Sequence, residues 1–261
     1  MEKDSPPFEI TPQILELCTE IGVLAGCYEG LNCPLPGPEL REANRAKTIH
    51  GTVAIENNTL SIQQVTGILE GKPVTGPERE ILEVKNAIKA YDSIEGFDVF
   101  SSRDLCRAHH MLMKDLAPDA GKFRTGAVGI AKSGGVSHIA PPAHLVPTHM
   151  ARLFRFLEKE RQYHMLVRAS VFHYELEFIH PFSDGNGRIG RLWERALLLH
   201  WHPVFAHISL EGIVKKRRGE YYHALEACDR KGSSEDFVAF TLTSILEALR
   251  DVFPNFQYSC S

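Results

Sequence analysis

The sequence predicts an all-α protein carrying one small β-hairpin, and three observations support this. Apolar residues recur three or four apart through most of the 261 residues, the period of a helix that buries one face. Pro- and Gly-rich breaks separate these runs, and capping residues open several of them. Only residues 124–139 read as strands: Thr125, Val128 and Ile130 lead to Ser133-Gly134-Gly135, followed by Val136 to Ile139.

The elements follow in order. A first helix is expected over residues 11–26, with a break from Asn32 to Pro38. A second spans 41–56. Ser61 with Gln64 has the form of a capping box opening a helix to Leu69, because each side chain can satisfy a free N–H at the helix start. Gly71 to Pro77 is a loop. Ile81, Val84, Ile88 and Tyr91 mark the next helix, and Ser101 with Asp104 caps another to Leu116. After the hairpin, Pro147 begins a helix to residue 160. Met165, Ala169, Phe172, Leu176 and Ile179 place a further helix over 164–179. Another apolar run (Ile189, Leu192, Ala196, Leu199) begins after Gly187. The last helix opens at Ser233, with Val238, Leu242, Ile245, Leu249 and Val252 on one face.

Composition excludes more than it identifies. The 29 basic and 33 acidic side chains leave a net charge of −4, which gives no general attraction to nucleic acid or membrane. The one basic cluster, Lys215-Lys216-Arg217-Arg218, reads as a solvated helix start. Cys18, Cys27, Cys33, Cys106, Cys228 and Cys260 form no Cys-x-x-Cys pair, and with no signal peptide they read as reduced thiols of a cytoplasmic protein. No apolar run approaches the ~20 residues that a membrane span needs. His109 and His110 adjoin on a helix and face different ways, so they are poor co-ligands. No His-Glu-x-x-His occurs, which argues against a zinc hydrolase.

Residues 180–191 concentrate the chemistry: His-Pro-Phe-Ser-Asp-Gly-Asn-Gly-Arg-Ile-Gly-Arg. Pro181 disfavours the α region at His180, so the preceding helix stops with an imidazole at its end. Gly185 and Gly187 are able to take positive φ in a tight loop. That loop opens a helix N-terminus, where N–H groups and the macrodipole favour an anion. Arg188 and Arg191 lie three apart on that helix's first turn. Cations there are poorly placed for stability, so a polyphosphate partner explains them better. The set predicts activation of a hydroxyl against a phosphate ester.

This stretch resembles the signature of the Fic family, His-x-Phe-x-(Asp/Glu)-Gly-Asn-Gly-Arg-x-x-Arg, at every specified position. The resemblance extends to Gly121-Lys122-Phe123-Arg124 and Pro141-Pro142, which are similar to the family's flap region. Tyr221-Tyr222 is similar to the segment lining its adenine pocket. Two parts follow: an N-terminal helical region, residues 1–95, and a Fic catalytic core, residues 96–261, with an all-α bundle and a hairpin flap. The resemblance implies His180 as general base and Asp184 as the ligand of a Mg²⁺ ion shared with ATP. Gly185, Asn186 and Gly187 would cradle the α- and β-phosphates. Arg188 and Arg191 would bind the outer phosphates, and Phe182 would anchor the loop in the core. The implied product is AMP on a Ser, Thr or Tyr hydroxyl of a target protein held at the 124–139 flap by strand addition, or of the chain itself.

Residues 52–57, Thr-Val-Ala-Ile-Glu-Asn, fit the family's inhibitory pattern (Ser/Thr)-x-x-x-Glu-(Gly/Asn). Glu56 would then pair with Arg188 and displace a γ-phosphate contact, giving autoinhibition in cis. Asn57 suits the left-handed conformation that ends many helices. Three alternatives stay open: AMP removal from a modified protein with Glu56 positioning water, a nucleotide-binding regulator without turnover, and a DNA-binding regulator. The intact His180 argues against the second. The third expects an appended winged helix, for which the sequence leaves no room after the final helix.

Overall fold

The computed structural model describes residues 5–30, 37–132 and 135–253. Among them are eleven α-helices: α1 (Pro12–Gly30), α2 (Pro38–Ile55), α3 (Ile62–Leu69), α4 (Glu78–Asp92), α5 (Ser102–Met113), α6 (Val146–Lys159), α7 (Met165–Ile179), α8 (Asn186–Trp201), α9 (Leu210–Lys216), α10 (Arg218–Lys231) and α11 (Glu235–Val252). Two short strands, β1 (Gly129–Lys132) and β2 (Gly135–Ile139), pair antiparallel, with a register shift between Ile130 and Ala131. Val128 lies just before β1. The expected turn residues Ser133 and Gly134 lie outside the described residues, as do Cys33, Cys260 and most of the Asn32–Pro38 break.

Several boundaries follow from local chemistry. The Ser61–Gln64 capping box forms in both directions at the start of α3. Ser101 accepts from the Asp104 N–H and opens α5. That helix ends at Met113, short of the expected Leu116. Lys114 is extended (ψ 127°), Asp115 is left-handed (φ 61°), and the Asn86 amide donates to the carbonyls of Leu112 and Lys114 at 3.3 and 2.8 Å. The 215–218 run straddles the junction of α9 and α10 rather than opening one helix. Arg217 pairs with Glu220 at 2.6 Å, and Arg218 reaches back to the Asn57 side chain at 2.7 Å.

Helix α7 is buried almost all round, which explains why its sequence is apolar on every face and not amphipathic. It packs against α6, α8 and α11. Helix α1 lies on α11, and α2 crosses α9 and α4. One continuous core runs from Ile14 to Phe253, so the N-terminal helices bury apolar surface against the same core as the rest. This packing carries the end of α2 to the start of α8. Among the described residues no helix is long and apolar enough to cross a membrane, and Cys18, Cys106 and Cys228 are free thiols.

Candidate active site

The loop between α7 and α8 is built by three internal ties. Its first residue, His180, leaves the right-handed α region, although it turns left-handed (φ 50°, ψ 60°) rather than extended. The Arg124 guanidinium accounts for that direction: its Nε donates to the His180 carbonyl at 2.7 Å, and one Nη donates to the Ile179 and Pro141 carbonyls. A non-glycine residue at positive φ is strained, and such strain persists only where its surroundings hold it. The His180 Nδ1 lies 3.3 Å from the Glu177 carbonyl. Only a protonated Nδ1 can donate to a carbonyl, so the neutral ring presents Nε2 as its proton-accepting nitrogen.

The second tie is Asn186. Its side-chain oxygen accepts from the Phe182 N–H, and its amide donates to the Phe182 carbonyl, both at 3.0 Å. The Asn186 side chain thus closes the loop through its oxygen and one of its two amide N–H groups. Phe182 is fully buried and stacks on His109, with ring centroids 3.6 Å apart and planes 5° apart.

The third tie is His109 itself. Its Nδ1 accepts from the Gly121 N–H at 2.9 Å, and its Nε2 donates to the Asp184 carbonyl at 2.8 Å. That pattern requires the neutral ring. Burial, helped by the nearby Arg188 charge and partly offset by the Asp184 carbonyl, pulls its pKa down to about 4.

Gly185 takes positive φ (81°) as N-cap of α8, but Gly187 does not. Gly187 is needed for a different reason. A Cβ there would strike the Glu56 carboxylate and sit 3.1 Å from an Arg191 Nη. Any larger side chain at 187 would have to push the Glu56 carboxylate aside, so glycine leaves room for that carboxylate against the first turn of α8.

The contact that results corrects the expected pairing. Glu56 pairs with Arg191, not Arg188: an Arg191 Nη donates to the Glu56 Oε1 at 2.7 Å and to the Thr52 carbonyl at 3.0 Å. The Arg191 Nε also reaches the Thr52 hydroxyl at 3.3 Å. Arg188 turns toward α4 and the loop, lying 3.6 Å from Glu83 and 3.3 Å from Asp184. Three residues along a helix rotate a side chain by about 300°, which is enough to give two neighbouring arginines separate partners. Both are buried. Burial opposes the Arg191 charge, but the adjacent Glu56 carboxylate outweighs it and raises the pKa.

Asn57 is left-handed (φ 70°), as its place after a helix end suggested. The two tyrosines differ from each other. Tyr221 is a core residue, its hydroxyl 3.4 Å from His173 and 3.5 Å from Glu177, so it is not an exposed pocket wall. Tyr222 is partly exposed and donates to the Ile55 carbonyl at 3.3 Å, while the Arg218 guanidinium lies over its ring. Together with the Arg218–Asn57 bond, this contact ties α10 to the end of α2.

Residues 99–198 match the model of the Fic/DOC family. A crystal structure of a Fic family protein from Desulfovibrio desulfuricans G20 superposes with a TM-score of 0.91 at 42% identity, covering 98% of this chain and 79% of that one. The chain belongs to the Fic family. Protein adenylyltransferase Fic from Culex quinquefasciatus is 33% identical over 204 residues, and the Drosophila melanogaster protein of that name 32% over 205. These alignments take in 74% of this chain but 38% and 39% of the relatives, so the chain spans about two fifths of their length. A fragment of Fic-1 from C. elegans shares the fold, with a TM-score of 0.73 at 21% identity over 93% of this chain and 71% of that one.

Around the Fic loop lie charged residues that sequence reasoning did not single out. His173 is fully buried between Glu194 at 2.9 Å and Glu177 at 3.8 Å. Burial disfavours its charge, yet the two carboxylates push its pKa up to about 9. Glu177 is in turn held below the usual carboxylate range, because its partner His173 outweighs burial. A Cβ on Gly190 would meet the His173 ring at 2.8 Å, so this cluster packs directly against the helix turn that carries Arg188 and Arg191. Glu83 on α4 also carried no local signal, since it does not belong to the loop it touches, and Thr52, the first residue of the inhibitory pattern, had no partner assigned.

Proposed function

We propose that this chain is an autoinhibited protein adenylyltransferase that moves AMP from ATP to a Ser, Thr or Tyr hydroxyl of a target protein. The observation that carries the reading is the Glu56–Arg191 ion pair across the start of α8. A buried arginine at a helix N-terminus is a phosphate site by its chemistry, and here a carboxylate from the N-terminal region fills it. The names of the relatives supply the reaction class.

In the proposed reaction the target hydroxyl oxygen attacks the α-phosphorus of ATP. The bond to the bridging oxygen of pyrophosphate breaks, and the hydroxyl proton passes to His180 Nε2. The free N–H groups at the start of α8 and the Arg188 and Arg191 guanidinium groups bind the phosphates. Residues 1–95 regulate and residues 96–261 catalyse, in a cytoplasmic setting consistent with the free thiols. Incubating the Glu56→Gly chain with ATP and cell proteins, then reading mass increments by mass spectrometry, tests this. An AMP increment on a hydroxyl side chain is expected. Loss of AMP from a pre-modified protein, with no gain from ATP, would replace the reading with AMP removal.

Asp184 fits a Mg²⁺ ion delivered with the nucleotide. Its side chain is half exposed, and one carboxylate plus phosphate oxygens is an ordinary donor set for this hard cation. Among the described residues no cluster of three or more His, Cys, Asp or Glu side chains could hold a metal alone. The ion would neutralise charge on the phosphates. Asp184→Ala is accordingly expected to lower transfer by at least about tenfold and to raise the Mg²⁺ concentration needed for half-maximal rate. Transfer by the intact chain that persists unchanged in excess chelator would refute the metal role.

The β1–β2 pair supplies an edge at which an extended target segment would add as a further strand. Val136→Pro, which removes a backbone donor from β2, is expected to impair modification of protein targets while leaving ATP affinity within about twofold. An equal loss of both would make the hairpin structural.

A further inference from the structure

We propose that Glu83 is the positioning residue of Arg188, holding that guanidinium in register for phosphate and doing so from outside the inhibitory helix. The proposal rests on the nucleotide-binding role just given to Arg188.

Arg188 needs such a partner. It is buried in the first turn of a helix, where the macrodipole is positive, three residues from a second buried arginine. Its Nε and Nη1 are buried without a hydrogen-bond acceptor. Two carboxylates approach it: Asp184 accepts a hydrogen bond from Nη2 at 3.3 Å, and Glu83 faces Nη1 at an ion-pair distance of 3.6 Å. They differ in standing. The Asp184 side chain is 50% exposed and is also the oxygen donor at the mouth of the loop. The Glu83 side chain is 14% exposed and is fixed independently of Arg188. Its Oε2 accepts from the Asn58 amide at 2.9 Å, and Arg79, one turn earlier on α4, lies 3.8 Å from its Oε1. A carboxylate already anchored on a packed helix can orient a guanidinium at little cost in side-chain entropy.

The route through Asn58 matters for regulation. Asn58 closes the turn that follows the inhibitory motif, its N–H donating to the Val53 carbonyl. The same side chain donates to the Glu80 carbonyl at 3.1 Å, and Thr59 is bound by the Glu80 carboxylate. The turn is thus pinned to α4 just beyond Glu56. The N-terminal region therefore sets one carboxylate on each signature arginine, and the two act differently. Glu56, at the end of α2, occupies a phosphate position and must leave. Glu83, on α4, stays when Glu56 leaves, and then remains the buried counter-charge beside Arg188.

The test is MgATP affinity by titration calorimetry in the Glu56→Gly chain, with Glu83→Gln and Arg188→Ala introduced singly and together. Glu83→Gln, whose side-chain oxygen still accepts from Asn58, is expected to weaken binding about 5–10-fold when Arg188 is present. It is expected to change binding less than about twofold when Arg188 is already alanine, because Glu83 acts through that side chain. Glu83→Asp is expected to recover part of the loss, and all variants should unfold within a few degrees of one another. Equal weakening in both backgrounds would make Glu83 merely structural. Tighter binding would make it a second competitor of phosphate. Either outcome overturns the proposal, as does no change. A nucleotide-independent reading is the Arg188 Nη1–H resonance, expected to be resolved and slowly exchanging in the Glu56→Gly chain and averaged in Glu83→Gln. If that chain binds no MgATP at all, the proposed function fails, and this resonance still decides the role of Glu83.

Discussion

Replacing His180 by alanine is expected to lower AMP transfer by about 10²–10⁴-fold while leaving ATP affinity within about twofold. The asymmetry follows from where the side chain sits. The groups proposed to bind phosphate are the start of α8 and the two arginines, and the loop that presents them is closed by Asn186, Phe182 and His109, none of which uses the His180 ring. The backbone at His180 is held by the Arg124 guanidinium on its carbonyl, a tie that alanine keeps. Removing the imidazole therefore takes away the proton acceptor without dismantling the cradle. The measurement is transfer rate and ATP dissociation constant for His180→Ala in the Glu56→Gly background. Near-unchanged transfer would remove His180 from the reaction, and a matching loss of ATP affinity would mean that the ring supports the loop.

The loop itself was legible in the sequence because its chemistry is contiguous. A helix end before Pro181, a glycine at positive φ and a helix start are local events, and each occurs within twelve residues. The same holds for the Ser61–Gln64 capping box and the left-handed Asn57. What the sequence hid depends on how separate helices meet. The partner of Glu56 is set by the angle at which α2 arrives, and one residue of helix rotates a side chain by about 100°, so Arg188 and Arg191 could not be told apart by spacing. Gly187 read as a turn glycine, whereas its role is to admit the carboxylate from α2. Asn186 read as a phosphate ligand because its type suits one, and the spacing did not reveal that its side chain also closes the loop onto Phe182. Glu83 is more than a hundred residues from Arg188 and shares no motif with it. Tyr221 and Tyr222 adjoin in sequence and separate in space, one into the core and one onto the end of α2.

Glu56→Gly is expected to raise AMP transfer by about 10²-fold or more, and Arg191→Ala is expected to abolish the gain. In the resting chain the Arg191 guanidinium already has a carboxylate 2.7 Å away, and the Thr52 carbonyl holds the same nitrogen. An outer phosphate of ATP needs that fork too. The Glu56 contact is intramolecular, so on the proposed reading its effective concentration lets it compete with the phosphate of a free ligand. On the proposed reading, nucleotide would then bind through what remains of the cradle with its α-phosphorus out of line, and a misplacement of about 1 Å alone can cost 10²-fold in rate. Removing the carboxylate frees Arg191 without disturbing the helix, because Glu56 is the C-cap residue of α2 and Asn57, Arg218 and Tyr222 still secure the turn. Glycine at a helix end is also compatible with the backbone there. A side-by-side labelled-ATP assay of the intact chain, Glu56→Gly and the Glu56→Gly/Arg191→Ala pair reads all three states. Autoinhibition falls if Glu56→Gly is no faster than the intact chain. The assignment of Arg191 falls if the double variant keeps the gain, and in that case Arg188→Ala in the same background shows whether the outer phosphate goes to the other arginine.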